Sequence, residues 1–178
     1  HVDPSLGFGY DYDVANPEVI LQRMSVRDGR IVLPDGMQYE LLALPDREDC
    51  DVAVLQKSEQ LVRDGATVVG RKPVRANGLT GYPQRDRSVS ELADRIWGDC
   101  DGRTVTRHRY GSGQVIWGLT LAAVLAERGV GPDFHYDTAG GGELDFIHRR
   151  TETADIYFVR NKSPQPANVR ATFRVFDK

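Results

Sequence analysis

Apolar positions in the middle of the chain follow two alternating rhythms. Residues 39–44 and 66–69 are short, dense runs of Leu, Val and Ala, the pattern of strands buried on both faces. Between them, Val52, Leu55, Leu61 and Val62 fall along one side of a helix over residues 52–63, which Gly65 stops. Strand, helix and strand with short joints form a βαβ unit, and such a unit requires parallel pairing. A second helix is expected over residues 88–97, opened by Ser88-Val-Ser-Glu91 as a capping box, with Val89, Leu92, Ala93 and Ile96 on one face. The turn Gly111-Ser112-Gly113 introduces a strand at 114–117, and a helix over 119–128 ends at Gly129.

The two ends of the chain read differently. Residues 6–13 are a Gly- and aromatic-rich loop. Asn16 then caps a short helix with Pro17 at its first position and Glu18 in its first turn. Asp28-Gly29 joins two short strands as a hairpin, and Pro34-Asp35-Gly36 is a further turn. Past a short edge strand at 132–136 and a glycine joint at 140–142, residues 144–149, 154–159 and 169–176 read as successive strands without helices. The expected organisation is an entry segment over 1–37, an α/β core over 38–143 and antiparallel strands over 144–178. The expected fold is α/β, a three-layer sandwich with a mostly parallel sheet of the class I glutamine-amidotransferase-like (flavodoxin-like) type, with the antiparallel strands added.

A length of 178 residues suits one domain with an appendage. The net charge of -3 gives no electrostatic reason to expect nucleic acid or an anionic membrane surface as a partner. No apolar run approaches the roughly 20 residues that span a bilayer, and the start does not resemble a signal peptide. The chain begins at His1 rather than Met and closes on a strand-like stretch, which leads to the expectation of a segment from a longer polypeptide. Cys50 and Cys100 each sit beside aspartates, which disfavour a thiolate, so neither is expected to act as a nucleophile.

Four constellations could carry chemistry. The Gly-containing loops do not lie between a strand and a helix start, so they make no phosphate cradle. Residues 70–87 form a long basic loop where open α/β sheets place function, yet Gly70 is followed by Arg71-Lys72-Pro73, with no nucleophile at the elbow. Tyr10, Asp11, Tyr12 and Asp13 alternate ring and carboxylate in a Gly-flanked loop, which suits a sugar, a calcium ion or an interface, or is a plain solvated connector. His148 and Arg149 lie in a strand, where His148 and Arg150 share one face. Ion pairing with Asp145 and Asp155 would account for this cluster structurally, and an interface role is the alternative. Trp97 and Trp117 sit within apolar patterns and are expected in the core.

An ordered set of stretches then becomes specific. It runs through Tyr10-Asp-Tyr-Asp13, Arg23-Met-Ser-Val-Arg-Asp-Gly-Arg-Ile-Val-Leu-Pro-Asp-Gly-Met-Gln-Tyr39, Leu42-Ala-Leu-Pro-Asp46 and Gly65-Ala-Thr-Val-Val-Gly-Arg-Lys-Pro-Val74. It continues through Gly113-Gln-Val-Ile-Trp-Gly118, Ile147-His-Arg-Arg150 and Asp155-Ile-Tyr-Phe-Val159 with Asn161. This order resembles the region that follows the catalytic barrel in α-L-rhamnosidase-like proteins of glycoside hydrolase family 106. The resemblance implies a secreted or periplasmic multidomain enzyme acting on rhamnose in plant polysaccharides. It also implies that the catalytic carboxylates and a calcium site belong to the barrel, with no cofactor in this chain. The expected partners are an upstream barrel and a downstream β-sandwich of the same polypeptide, with no nucleic acid or membrane. A stand-alone carbohydrate-binding module and an independent amidotransferase-like enzyme are the alternatives.

Overall fold

The computed structural model describes residues 9–138 and 142–175, and the chain divides into two units. Residues 14–124 make one; residues 9–13 with 125–138 and 142–175 make the other. The division falls inside a helix.

The first unit opens with α1 (Pro17–Arg23), where the Asn16 side chain accepts from the Val19 N–H at 2.9 Å as the capping pattern requires. β1 (Ser25–Arg27), β2 (Arg30–Val32) and β3 (Gln38–Tyr39) form an antiparallel sheet. Its first turn places Asp28 and Gly29 at φ 52° and 74°, the left-handed pair a two-residue hairpin needs. The expected strand over 39–44 is split: Tyr39 ends β3, while β4 (Leu42–Ala43) enters another sheet. The helix expected over 52–63 forms as α2 (Val52–Arg63), capped by Asp51, whose carboxylate accepts from the N–H groups of Ala53 and Val54.

The central sheet contains β4, β6 (Thr67–Val69), β9 (Gly113–Ile116) and β8 (Arg107–Tyr110), in the order β4-β6-β9-β8. The first three strands run parallel and β8 antiparallel. A separate parallel pair joins β5 (Asp49–Cys50) to β7 (Arg75–Ala76). The expected capping box at Ser88 is not a helix start, because α3 runs from Gln84 to Trp97. Ser88 lies in its second turn and donates from its hydroxyl to the Gln84 carbonyl at 3.1 Å. The apolar face behaves as the spacing predicts: Val89, Leu92, Ala93 and Ile96 are buried, and Trp97 is fully enclosed. α2 packs on α3 and on β6 and β9. Leu55, Leu61, Val62, Val68, Ile96 and Val115 form the core between them.

The division between the units falls in α4 (Leu121–Glu127). The second unit then contains β10 (Phe134–Thr138), β11 (Leu144–Arg150), β12 (Asp155–Asn161) and β13 (Val169–Phe173). β11 and β12 form a hairpin as expected, but β13 does not extend that layer. It returns to pair with β10, with Phe173 opposite Phe134. The two antiparallel ribbons face each other through aromatic rings, with Phe134 5.1 Å from Phe146 and Tyr157 4.9 Å from Phe173 between centroids. Residues 140 and 141 of the expected glycine joint lie outside the described residues. Overall the chain is a mixed α/β fold with several small sheets, and most strand pairings are antiparallel.

Candidate functional site

The loop after β6 is the first place to look, since the carboxyl end of a parallel strand carries function in open α/β folds. Here it is closed by packing. A Cβ on Gly70 would sit 2.8 Å from the Leu44 Cβ, so only glycine fits. The Gly70 N–H donates to the Ile116 carbonyl at 2.9 Å, and its own carbonyl accepts from Trp97 Nε1 at 3.0 Å. Four of the basic residues that follow reach carboxylates. Arg71 and Arg75 both reach Glu48, Lys72 reaches Asp94 at 2.8 Å, and Arg85 reaches Asp51 at 3.2 Å. Arg71 and Arg75 share one carboxylate, and these four cations are held in ion pairs with the neighbouring strand and helix ends.

Neither thiol sits in surroundings that favour a thiolate. Burial, helped by Asp51 and Asp49, pushes the Cys50 thiol up to about 11, and burial also raises that of Cys100. A nucleophilic cysteine needs the opposite shift. A shallow depression of about 200 Å³ lies over the β1–β3 sheet beside Arg27, Leu33, Pro34 and Gln38. It is smaller than the several hundred Å³ usual for small-molecule sites.

The second unit holds a buried charged cluster, and it gathers several of the sequence candidates. The His148 ring lies between two carboxylates, with Nδ1 3.1 Å from Asp133 and Nε2 3.1 Å from Asp155. The ring stacks on Tyr157 at 4.2 Å between centroids, nearly parallel at 4°. The His148, Asp133 and Asp155 side chains retain only 10%, 9% and 4% of their surface in solvent.

Asp133 is the hub. Besides His148 it accepts from Arg174 Nη2 at 2.5 Å and from the Asp11 N–H at 3.2 Å. Arg149 Nη1 reaches the Asp11 carboxylate at 3.5 Å. Asp11 is raised above the ordinary carboxylate range, chiefly by burial and against the opposing pulls of the Tyr12 N–H and Arg149. Tyr157 is also raised, by burial first and then by Asp133.

Asp11 and His148 therefore meet at Asp133, which sequence reading missed, while Arg149 reaches only Asp11 and the His148 carbonyl. Asp133 precedes an edge strand, 15 residues from His148 and 122 from Asp11, so no spacing signal could mark it. One expectation is corrected. Asp145 does not pair with His148; strand alternation turns it outward to Arg160 at 3.1 Å, while Asp155 does pair as expected. Tyr10 is half-buried, and Tyr12 and Asp13 are exposed. Trp97 is fully buried and Trp117 partly buried against the core, as expected.

Chemically, the cluster resembles a carboxylate pair only on paper. Sugar hydrolysis by inversion leaves space for a water between its two carboxylates. Here an imidazole fills the space between Asp133 and Asp155, and Arg174 occupies Asp133. Among the described residues, no group of three or more His, Cys, Asp or Glu side chains is arranged to hold a metal ion.

These features define a small mixed α/β module whose buried charged centre ties strands together. The family model described as alpha-L-rhamnosidase, glycoside hydrolase family 106, matches residues 1–178, and the chain belongs to that family. A curated protein of Formosa agariphila named "Putative beta-glucuronidase" is 32% identical over 170 residues, covering 96% of this chain and 13% of its own length. The solved structure of a rhamnosidase from Novosphingobium sp. PP1Y matches with a TM-score of 0.78 at 29% identity, over 92% of this chain and 15% of that one. The chain thus spans only a small part of both relatives.

Proposed function

We propose that this chain is a non-catalytic accessory module of a large multidomain glycoside hydrolase acting on rhamnose-containing polysaccharides. The observation that supports this reading most strongly is one of proportion. The family match runs along the whole chain, yet the corresponding stretch is 13% and 15% of the two relatives. The filled space between Asp133 and Asp155 points the same way. On this reading the catalytic carboxylates and any calcium belong to a barrel elsewhere in the polypeptide, and a β-sandwich lies on the other side. The parent enzyme works outside the cell or in the periplasm. The parallel order β4-β6-β9 beside α2 and α3 is read as a reduced amidotransferase-like layer without its nucleophile. Tyr10, Asp11, Tyr12, Asp13, His148 and Arg149 serve an interface: Asp133 ties Asp11 and His148 together, and Arg149 reaches Asp11.

The test is hydrolysis of an aryl α-L-rhamnoside by this chain and by the longer polypeptide. Activity confined to the longer protein is the expected result. Turnover by the 178-residue chain alone would overturn the reading and direct mutagenesis to Asp11, Asp13 and His148.

A further inference from the structure

Antiparallel ribbons that pack on one side alternate apolar inward and polar outward. The β10–β13 ribbon obeys this rule. Its inner pairs are Phe134–Phe173, Tyr136–Ala171 and Thr138–Val169, and its outer pairs are His135–Thr172 and Asp137–Arg170. The β11–β12 ribbon breaks it. Its inner face carries Phe146 with Val159 and His148 with Tyr157, while its outer face centres on the pair Ile147–Phe158 with Ile156 beside it. Those three outer side chains are 49%, 67% and 53% exposed. A ribbon that is apolar on both faces is built to be covered on both.

The rim says what covers it. Asp145 is paired with Arg160 at 3.1 Å, and Arg149 reaches Asp11 at 3.5 Å, so charges around the apolar centre are matched within the chain. A neutral rim around an aliphatic and phenylalanine centre suits an apolar protein surface, not a charged polymer. The patch is also too small to hold a second copy. A stable interface buries about 800 Å² per partner through some 20–30 residues a side, whereas this face offers three large apolar side chains. A tethered partner needs far less contact, because the linking chain supplies a high effective concentration.

We propose that the outer face of the β11–β12 ribbon, centred on Ile147, Ile156 and Phe158, docks onto an apolar surface of another domain of the same polypeptide. This rests on the accessory-module reading and names the surface through which the module joins its parent. The proportion of the Novosphingobium rhamnosidase lying outside the matched region, with this segment only 15% of that chain, shows that such chains carry ample material to cover it.

Hydroxyl-radical footprinting of the full-length polypeptide tests the proposal, with His135 on the polar ribbon as an internal standard. Expected is strong protection of Phe158 and Ile147 relative to the unfolded chain, independent of protein concentration, while His135 stays reactive. Full reactivity of Phe158 in the folded polypeptide overturns it. Protection that appears only as concentration rises, with a dimer in sedimentation, also overturns it and assigns the face to a second copy. As a second measure, Phe158→Asp in the full-length protein should raise proteolysis at this module, and His135→Asp should not. Rhamnoside hydrolysis by the isolated chain would sink the accessory reading while leaving the footprint unchanged, so the two failures are separable.

Discussion

The two units are held together by different physics. Residues 14–124 bury aliphatic and indole surface: Leu55, Leu61, Val62, Val68, Ile96 and Trp97 are all essentially sealed from water, and ion pairs such as Lys72–Asp94 and Arg85–Asp51 lie outside that core. The second unit has little aliphatic core and joins its two ribbons through rings and a buried ion network. Two-stranded ribbons are marginal alone, so bonds from Asp133 to His148, Arg174 and the Asp11 backbone do there what apolar burial does in the first unit. Apolar packing is tolerant of solvent conditions and sensitive to volume. A buried ion network is the reverse: any single partner removed leaves an uncompensated charge.

Substitutions can break this contrast or sharpen it. The largest effect is expected for Trp97→Ala, which removes a fully enclosed indole and its bond to Gly70, at a cost of about 3–5 kcal/mol in urea unfolding. A loss of under about 1 kcal/mol, at the bottom of the usual range for single substitutions, would show that the first unit does not depend on that packing. Asp133→Ala strands Arg174 and His148 and should cost about 3 kcal/mol. Hydrogen exchange should place that loss in β10–β13, leaving the amides of β6 and β9 protected. If β6 and β9 lose protection equally, the units are not energetically distinct.

Asn16→Ala removes the cap of α1 and should cost about 1 kcal/mol without touching the second unit. The smallest effect concerns pH. The Asp11 carboxyl is raised in the folded state, so its contribution is fully present below the ordinary carboxylate value and is lost as pH rises through the elevated one. Asp11→Asn should therefore flatten the pH dependence of second-unit stability across that window. An unchanged slope in thermal melts over the same pH series would refute the assignment.

Much of the first unit was legible because its signals are local. The bounds of α2 follow from apolar spacing within 12 residues, and the α1 cap and the Asp28-Gly29 turn from adjacent residue types. The misreadings have local causes too. Ser88-Val-Ser-Glu91 satisfies a capping box, but Gln84 to Arg87 are equally able to be helical, and Asp86 is held there by the Ala76 N–H at 3.1 Å. β8 went unseen because Arg107, His108, Arg109 and Tyr110 present no apolar alternation; it is fixed by its pairing with β9 and by Tyr110 donating to Glu59 at 2.8 Å.

In the second unit, alternation alone determined which face each strand residue takes, including the separation of His148 from Arg149. Which strands pair was decided only by the tertiary structure. β13 returns to β10, 35 residues away at the Ala171–Tyr136 level of the ladder, because Phe173 then meets Phe134 and Arg174 meets Asp133. Periodicity carries information over a turn of helix or a pair of strand residues. A buried aspartate that serves three partners distant in sequence leaves no such periodic trace, and it becomes visible only when the fold brings those partners to it.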